Sequence, residues 1–372
     1  MKKLILIVIS LCLLFLFQTQ SLAADIDFDN LEESVSDELF SVIDDDVLSA
    51  LEEMGIGKNG LSGVYNFSLD SITSFFSTTL KEKAEKCFRD VFMLLCVIMI
   101  TGTVSSLFIG SKRENFISQM SVMIITLIMV NIISQSLSAA VSVLRLSGDF
   151  MLSFVPIYTL VISLSGNAAS ALTYNSLIMV FAEAFSSVIT YAVPELIGIL
   201  FCLSISFSMN ESINTGRFIG AVNKTVSVIL GVAAGAFTGF LSLKNVLSVS
   251  VDSVSVKSIR FLIGSLIPVV GSSISEAYST LLGSINLIKG SVAMVGILVV
   301  LIVNLPVILE TLLYYFSFTV LSYLSDGFCG ARVGEALRSF CCGIRILLLL
   351  CVFEMFILIV STGLMLSLRG TV

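Results

Sequence analysis

Apolar residues fill this chain in long runs, separated by short polar stretches. The first run, Leu4 to Phe17, follows Lys2 and Lys3 and ends at Gln18, with Ser21 and Ala23 as small residues flanking a cleavage point. A basic start, an apolar core shorter than the ~20 residues of a membrane span, and small residues behind it predict a cleavable signal peptide over 1–23. From 24 to 87 the pattern is sparser. Phe28, Leu31, Val35, Leu39 and Val42 recur at intervals of three and four, which predicts an amphipathic helix, and Asp46 is a candidate N-cap for a short helix stopping at Gly55. Ile72, Phe75, Phe76, Leu80 and Ala84 form one stripe of a helix over Ser71–Phe88 that would lie on a bilayer ahead of the first span.

Beyond Phe88 the apolar runs dominate. Candidate spans fall near 90–109, 117–140, 150–164, 170–192, 195–209, 218–241, 261–282, 291–305, 306–324 and 346–366. Those of about 15 residues are short for a crossing, so re-entrant or paired half-helices are an alternative. The expected fold is all-α: a polytopic helical membrane protein of about eight to ten spans (88–372), with a small helical extracytoplasmic N-terminal region (24–87). The four prolines, Pro156, Pro194, Pro268 and Pro306, are expected helix breaks. Each pair is 38 residues apart, and sliding the chain by 112 superposes Pro156 on Pro268 and Pro194 on Pro306, so two related halves with Pro-broken helices are one reading and coincidence the other. Ser248–Val256 alternates Ser and Val with the period of a strand, but a lone strand in lipid leaves its backbone unpaired, which favours a buried, kinked or interfacial helix over the alternative of an ectodomain hairpin.

Composition sharpens the picture. With 56% hydrophobic and 13% charged residues, the chain lies outside the range of a single soluble domain. It has no His, which excludes His-ligated metal sites, Ser-His-Asp triads and Cys-His dyads. Of its net charge of -7, residues 24–87 carry 15 acidic against 4 basic groups, so the acidity belongs to the exported segment. Asp25-x-Asp27-x-Asp29 resembles the start of a calcium loop, but Asn30 stands where that loop needs Gly and Ser36 where it needs Glu. With the mature amino terminus outside, Lys112, Arg113, Arg217, Arg332, Arg338 and Arg345 fall on the cytoplasmic side, while Lys244, Lys257 and Arg260 fall outside, against the positive-inside tendency.

Few residues offer chemistry. Glu183, Glu276, Glu310 and Glu354 stand in apolar segments, with Lys224 and Lys289 nearer the ends. A proton or solute path is one reading of such groups, and interhelical hydrogen bonding or snorkelling the other. Glu183, Glu276, Lys289 and Glu310 are the candidate conduit residues, with Glu276 and Lys289 facing each other across a helical turn-back at Gly283. Gly231, Gly235 and Gly239 share one helix face and predict close packing of a neighbouring helix. The cysteines show no C-x-x-C spacing, and no phosphate loop or basic nucleic-acid stripe is present, so no cofactor, no nucleic acid and no catalytic or metal-ligating residue is expected, and any ATP would be used by a partner.

The stretch Phe261–Pro268 through Gly271 and Glu276, then Leu287-Ile-Lys289-Gly-Ser-Val-Ala-Met-Val-Gly296 and Leu305-Pro306, resembles the stage III sporulation protein AE family. The likeness extends back through Phe237–Ser242 to Asp252 and Lys257, which match a polar loop of the family. The chain departs from it at Glu276, where the family tends to have Asp, and at Ser322-Tyr323, where it tends to have Gln-Pro. The resemblance implies a non-enzymatic, permease-like subunit of a secretion-like channel between mother cell and forespore, in the mother-cell-derived outer forespore membrane. Implied partners are the other stage III sporulation A-operon proteins, the forespore Q protein and membrane lipid. A stand-alone secondary transporter and a structural scaffold are the competing expectations.

Overall fold

A computed structural model describes residues 29–57, 69–108, 114–187, 195–199, 202, 215–266, 271–329 and 331–366. Among them there is no strand, and the helices of nine residues or more are α1 (Asp29–Ser41), α2 (Asp45–Glu53), α3 (Leu69–Ser106), α4 (Glu114–Leu164), α5 (Ala168–Ser187), α6 (Thr215–Leu266), α7 (Gly271–Phe328) and α8 (Ala331–Leu366). Five contain stretches long and apolar enough to cross a membrane: Asp70–Ser106, Phe116–Leu164, Gly220–Leu243, Ser279–Phe328 and Val333–Leu364. The protein is an all-α polytopic membrane protein.

Two pairs of the expected crossings merge, and most of the expected span 195–209 lies outside the described residues. The runs 117–140 and 150–164 are one helix, α4, and 291–305 and 306–324 are one helix, α7. Pro156 and Pro306 lie inside these helices and break neither, contrary to expectation. A mid-helix proline forfeits one backbone hydrogen bond at a cost of about 3 kcal/mol. Here Phe154, Val155, Ile157 and Tyr158 around Pro156, and Val303, Asn304, Val307 and Ile308 around Pro306, are buried, and their packing holds the helix through the defect. Pro194 and Pro268 lie outside the described residues. The 112-residue offset carries the turn at 165–167 onto 277–279, in the interior of α7, so it does not map element onto element.

At 1.5 Å per residue the 58-residue α7 is about 87 Å long, and the 52- and 51-residue α6 and α4 nearly as long. Their mutual directions follow from pairs of contacts. Lys86 meets Glu310, Asp90 meets Tyr314 and Thr101 meets Cys329, so α3 and α7 run parallel. Ser147 meets Asn304, and Phe154 lies against Gly296, so α4 runs antiparallel to α7. Arg338 meets Asp326 and Thr319 meets Cys341, which makes α7 and α8 an antiparallel hairpin. The core is the α7–α8 pair, with α4, α5 and α6 around it and α3 laid along α4 and α7.

The acidic N-terminal helices belong to the same body. Val35, Leu39, Phe40, Ile43, Val47, Leu48 and Leu51 are buried in one cluster with the bundle core, and α1 packs on α4 and α7, α2 on α7. The cap of α2 is Asp44, whose carboxylate accepts from Asp46 N–H at 3.1 Å, two residues before the expected Asp46. Gly55, at φ +86°, ends it as expected: Ile56 N–H returns to Leu51 C=O, the six-to-one closure that needs a left-handed residue. The amphipathic segment and first span, divided at residue 87 in the sequence reading, form one uninterrupted helix, α3. The signal segment 1–23 lies outside the described residues.

Candidate functional site

The most developed polar feature is the seam between α3 and α7. Lys86 Nζ donates to Glu310 Oε1 at 2.8 Å, and Lys83 Nζ stands 3.5 Å from Oε2, so both carboxylate oxygens have a cationic partner. One turn on, Tyr314 OH donates to Asp90 Oδ2 at 2.6 Å. Cys87 Sγ and Ser317 Oγ, 3.7 Å apart, complete this level, and Cys329 Sγ donates to Ile98 C=O nearer the far end. The seam exists because Lys86 and Asp90, like Glu310 and Tyr314, are four apart and so share a helix face. Glu310 is 4% exposed, and such a carboxylate stays in a bundle interior because it is paired.

A second feature ties α6 to the α4–α5 turn. Asp252 accepts from Ala169 N–H at 2.8 Å, Ser170 N–H at 3.0 Å and Ser170 Oγ–H at 2.7 Å, supplying from a distant helix the anion that the first turn of α5 would otherwise lack. Gly166, at φ +87°, makes the turn itself, and a Cβ there would press on Val256 of α6. Asp252 and Lys257 therefore lie on a helix, not in a loop: Asp252 is buried and Lys257 exposed. The Ser-Val alternation is helical, as backbone pairing requires.

The candidate conduit residues do not converge. Glu276, Lys289 and Glu310 lie along the single helix α7, with rises of about 20 Å and about 32 Å between them. The expected turn-back at Gly283 is absent, because α7 is continuous there. Glu276 is exposed near the α7 amino terminus, Lys289 is buried, and Glu310 belongs to the seam. Glu183 is in α5, and its side chain lies outside the described residues. Gly231, Gly235 and Gly239 share a face of α6 as expected, but a Cβ at any of them would meet nothing within 4 Å, so no described helix packs there.

Several interior polar groups lie away from these sites, and of them the sequence reading singled out only Glu354. Asn304 Nδ2 donates to Ser147 Oγ at 2.7 Å across α4 and α7, while its Oδ1 has no hydrogen-bond partner. Glu354 is 4% exposed in α8, and its Oε2 makes no hydrogen bond. Tyr158 and Tyr174 are fully buried with ring centroids 5.5 Å apart, and neither hydroxyl has a partner by hydrogen-bond geometry. The i, i+4 spacings were legible signals for the seam, but the register joining residue 86 to residue 310 was not. Among the described residues no group of three or more Cys, Asp or Glu is placed to hold a metal ion.

The bundle, its seam and its docked acidic helices can be set beside known proteins. No solved structure matches. A curated relative, "Stage III sporulation protein AE" of Bacillus subtilis (strain 168), is 22% identical over 179 residues, covering 48% of this chain and 45% of that protein, so the match spans about half of each. The sequence profile described as Stage III sporulation protein AE matches residues 55–367, which takes in α3 through α8 with the α3–α7 seam and the Asp252 cap. The chain belongs to the stage III sporulation protein AE family.

Proposed function

We propose that this protein is a non-enzymatic, permease-like subunit of a secretion-like channel between mother cell and forespore, held in the outer forespore membrane with its amino-terminal region in the intermembrane space. The family places the chain in sporulation. The observation that supports the finer reading is the docking of the acidic helices α1 and α2 on a helical bundle about 87 Å long. A bilayer core is about 30 Å thick, so much of the bundle stands clear of it and offers surface to other proteins. The other stage III sporulation A-operon proteins and the forespore Q protein are the proposed partners, and ATP is used by a partner ATPase.

The test is forespore late-gene expression and sporulation efficiency in cells lacking the chain, then in cells carrying Glu276→Gln, Glu310→Gln or Lys289→Met, with membrane levels of the protein measured alongside. Loss of late expression without the chain is the expected result, and normal late expression would overturn the channel reading. Loss in a variant at unchanged protein level would assign its charge to transport, whereas normal sporulation in all three would favour a scaffold. A stand-alone transporter has one observation in its favour, the buried Glu354 with an unbonded Oε2. It requires that the purified chain alone move a solute into vesicles.

A further inference from the structure

A few contacts set the helices at common heights. Lys86 with Glu310 and Asp90 with Tyr314 put Phe88 and Phe92 of α3 level with residues 312 and 316 of α7. Ser147 with Asn304, and Phe154 with Gly296, put Gln135 and Ser138 of α4 at that height as well. Helices α4 and α5 are antiparallel, since Tyr158 meets Tyr174, and α6 turns back along α5, since Phe237 meets Phe181 and Asp252 meets Ser170. Phe181 also meets Phe353, which the pairing of Thr319 with Cys341 sets near residue 307 of α7, so Val228 and Val232 of α6 fall level with 312–316 too.

At this height three helices turn apolar side chains outward: Phe88 (72% exposed) on α3, Phe316 (69%) on α7 and Val232 (66%) on α6. Each belongs to a stretch long and apolar enough to cross a membrane, which places the height in hydrocarbon. The exposed cations nearest to it, Arg89 and Lys224, have aliphatic stems that carry their charges to water. The outward face of α4 is different. Asn131, Gln135, Ser138, Ser142, Arg145 and Asp149 recur at four and three along one face, and every residue that α4 exposes between 128 and 151 is polar or charged. Ser121, Thr126 and Ser136 of the same helix return their hydroxyls to backbone carbonyls, whereas Gln135, Ser138 and Ser142 have no side-chain hydrogen-bond partner among the described residues.

Neutral side chains as short as Asn131 and Ser138 cannot reach water past lipid, and an unmet amide or hydroxyl in hydrocarbon is strongly disfavoured. A protein interface has an apolar core, which this face lacks over its whole length. Water is the occupant that meets both conditions. We propose that this face of α4 is the wall of an aqueous vestibule. Its mouth is at Arg145 and Asp149, and Arg145 is level with the exposed Lys81 and Glu82 of α3. From Asp149 it descends about 27 Å to Asn131 and ends where Leu127 and Ile124 turn outward. The vestibule rests on the channel reading and adds to it that this chain supplies part of the conduit wall.

Membranes from sporulating cells, which hold the full chain with its partners, test this with a water-soluble, membrane-impermeant maleimide, read by peptide mass spectrometry. Gln135→Cys and Ser138→Cys are expected to react about ten-fold faster than Val228→Cys and Val232→Cys on α6, because the reacting thiolate needs water. In the wild-type protein, a phospholipid with a photoreactive acyl chain is expected to label residues 228–232 and spare 131–142, a readout that needs no variant to fold. Gln135→Cys and Ser138→Cys as unreactive as Val232→Cys overturn the vestibule; lipid labelling of 131–142 then names lipid as the occupant, and its absence names protein. Equally fast reaction on both helices, with no lipid label at 228–232, also overturns it, by setting this height outside the bilayer. Labelling does not depend on transport, so an unreactive stripe sinks the vestibule alone, while normal late expression without the chain sinks the channel.

Discussion

Asp252 shows how much of this fold rests on single polar contacts. It is buried, and its three accepted hydrogen bonds come from the first turn of α5, eighty-two and eighty-three residues away in sequence. Removing it leaves two backbone N–H groups and a hydroxyl in the interior with no acceptor, and hydrogen bonds to a charged group contribute about 1.5–3 kcal/mol net. Asp252→Ala is therefore expected to destabilise the protein by about 2 kcal/mol or more, seen as a lowered Tm in detergent. Asp252→Asn retains one acceptor oxygen and is expected to lose less than half of that. Equal losses would mean that the carboxylate packs rather than caps. The same contact accounts for what the sequence hid: an Asp amid Ser-Val alternation looks like a surface residue, and only the approach of α6 to the α4–α5 turn makes it a cap.

At the scale of elements, the outstanding feature is helices that continue where their sequences offer a stop. Pro156, Pro306 and Gly283 all lie within unbroken helices, so local propensity was overridden by packing on both sides. Glycines in these helices then divide by what surrounds them. A Cβ on Gly296 would run into the ring of Phe154, which is itself stacked between Phe150 and Tyr158 and fully buried. A Cβ on Gly283 meets nothing. Gly296→Ala is expected to cost about 1–3 kcal/mol by overpacking, and Gly283→Ala to be neutral or to stabilise by up to ~1 kcal/mol through helix propensity. Thermal unfolding of the two variants side by side checks this, and a neutral Gly296→Ala would show that α4 and α7 can move apart cheaply.

The whole molecule joins two kinds of sequence in one body. The acidic segment was legible as amphipathic helix, but its role depends on where the apolar stripe lands. Leu39 and Leu51 are fully buried in the cluster that includes the bundle core, so α1 and α2 cover part of α4 and α7 rather than standing apart as a free domain. Leu39→Asp places an unpaired charge in that contact and is expected to release α1 and α2, while exposed Asp37→Asn leaves them docked. Limited proteolysis with mass spectrometry reads the difference as cleavage within residues 29–57 that is at least several-fold faster in Leu39→Asp, with α7 and α8 intact. Unchanged cleavage would mean that the helices are held by something other than their apolar face.

The sequence by itself determined the class of this protein. Apolar runs of spanning length admit only helices in lipid, the absence of His removes whole chemistries, and the stretch from Phe261 to Pro306 carries its family. Tertiary structure decided the rest, because these properties are local and the remainder are not. Whether two apolar runs are two crossings or one long helix depends on what packs around the residues between them. Whether Glu310 is a lone intramembrane carboxylate or half of an ion-paired seam depends on a register with α3, more than two hundred residues away.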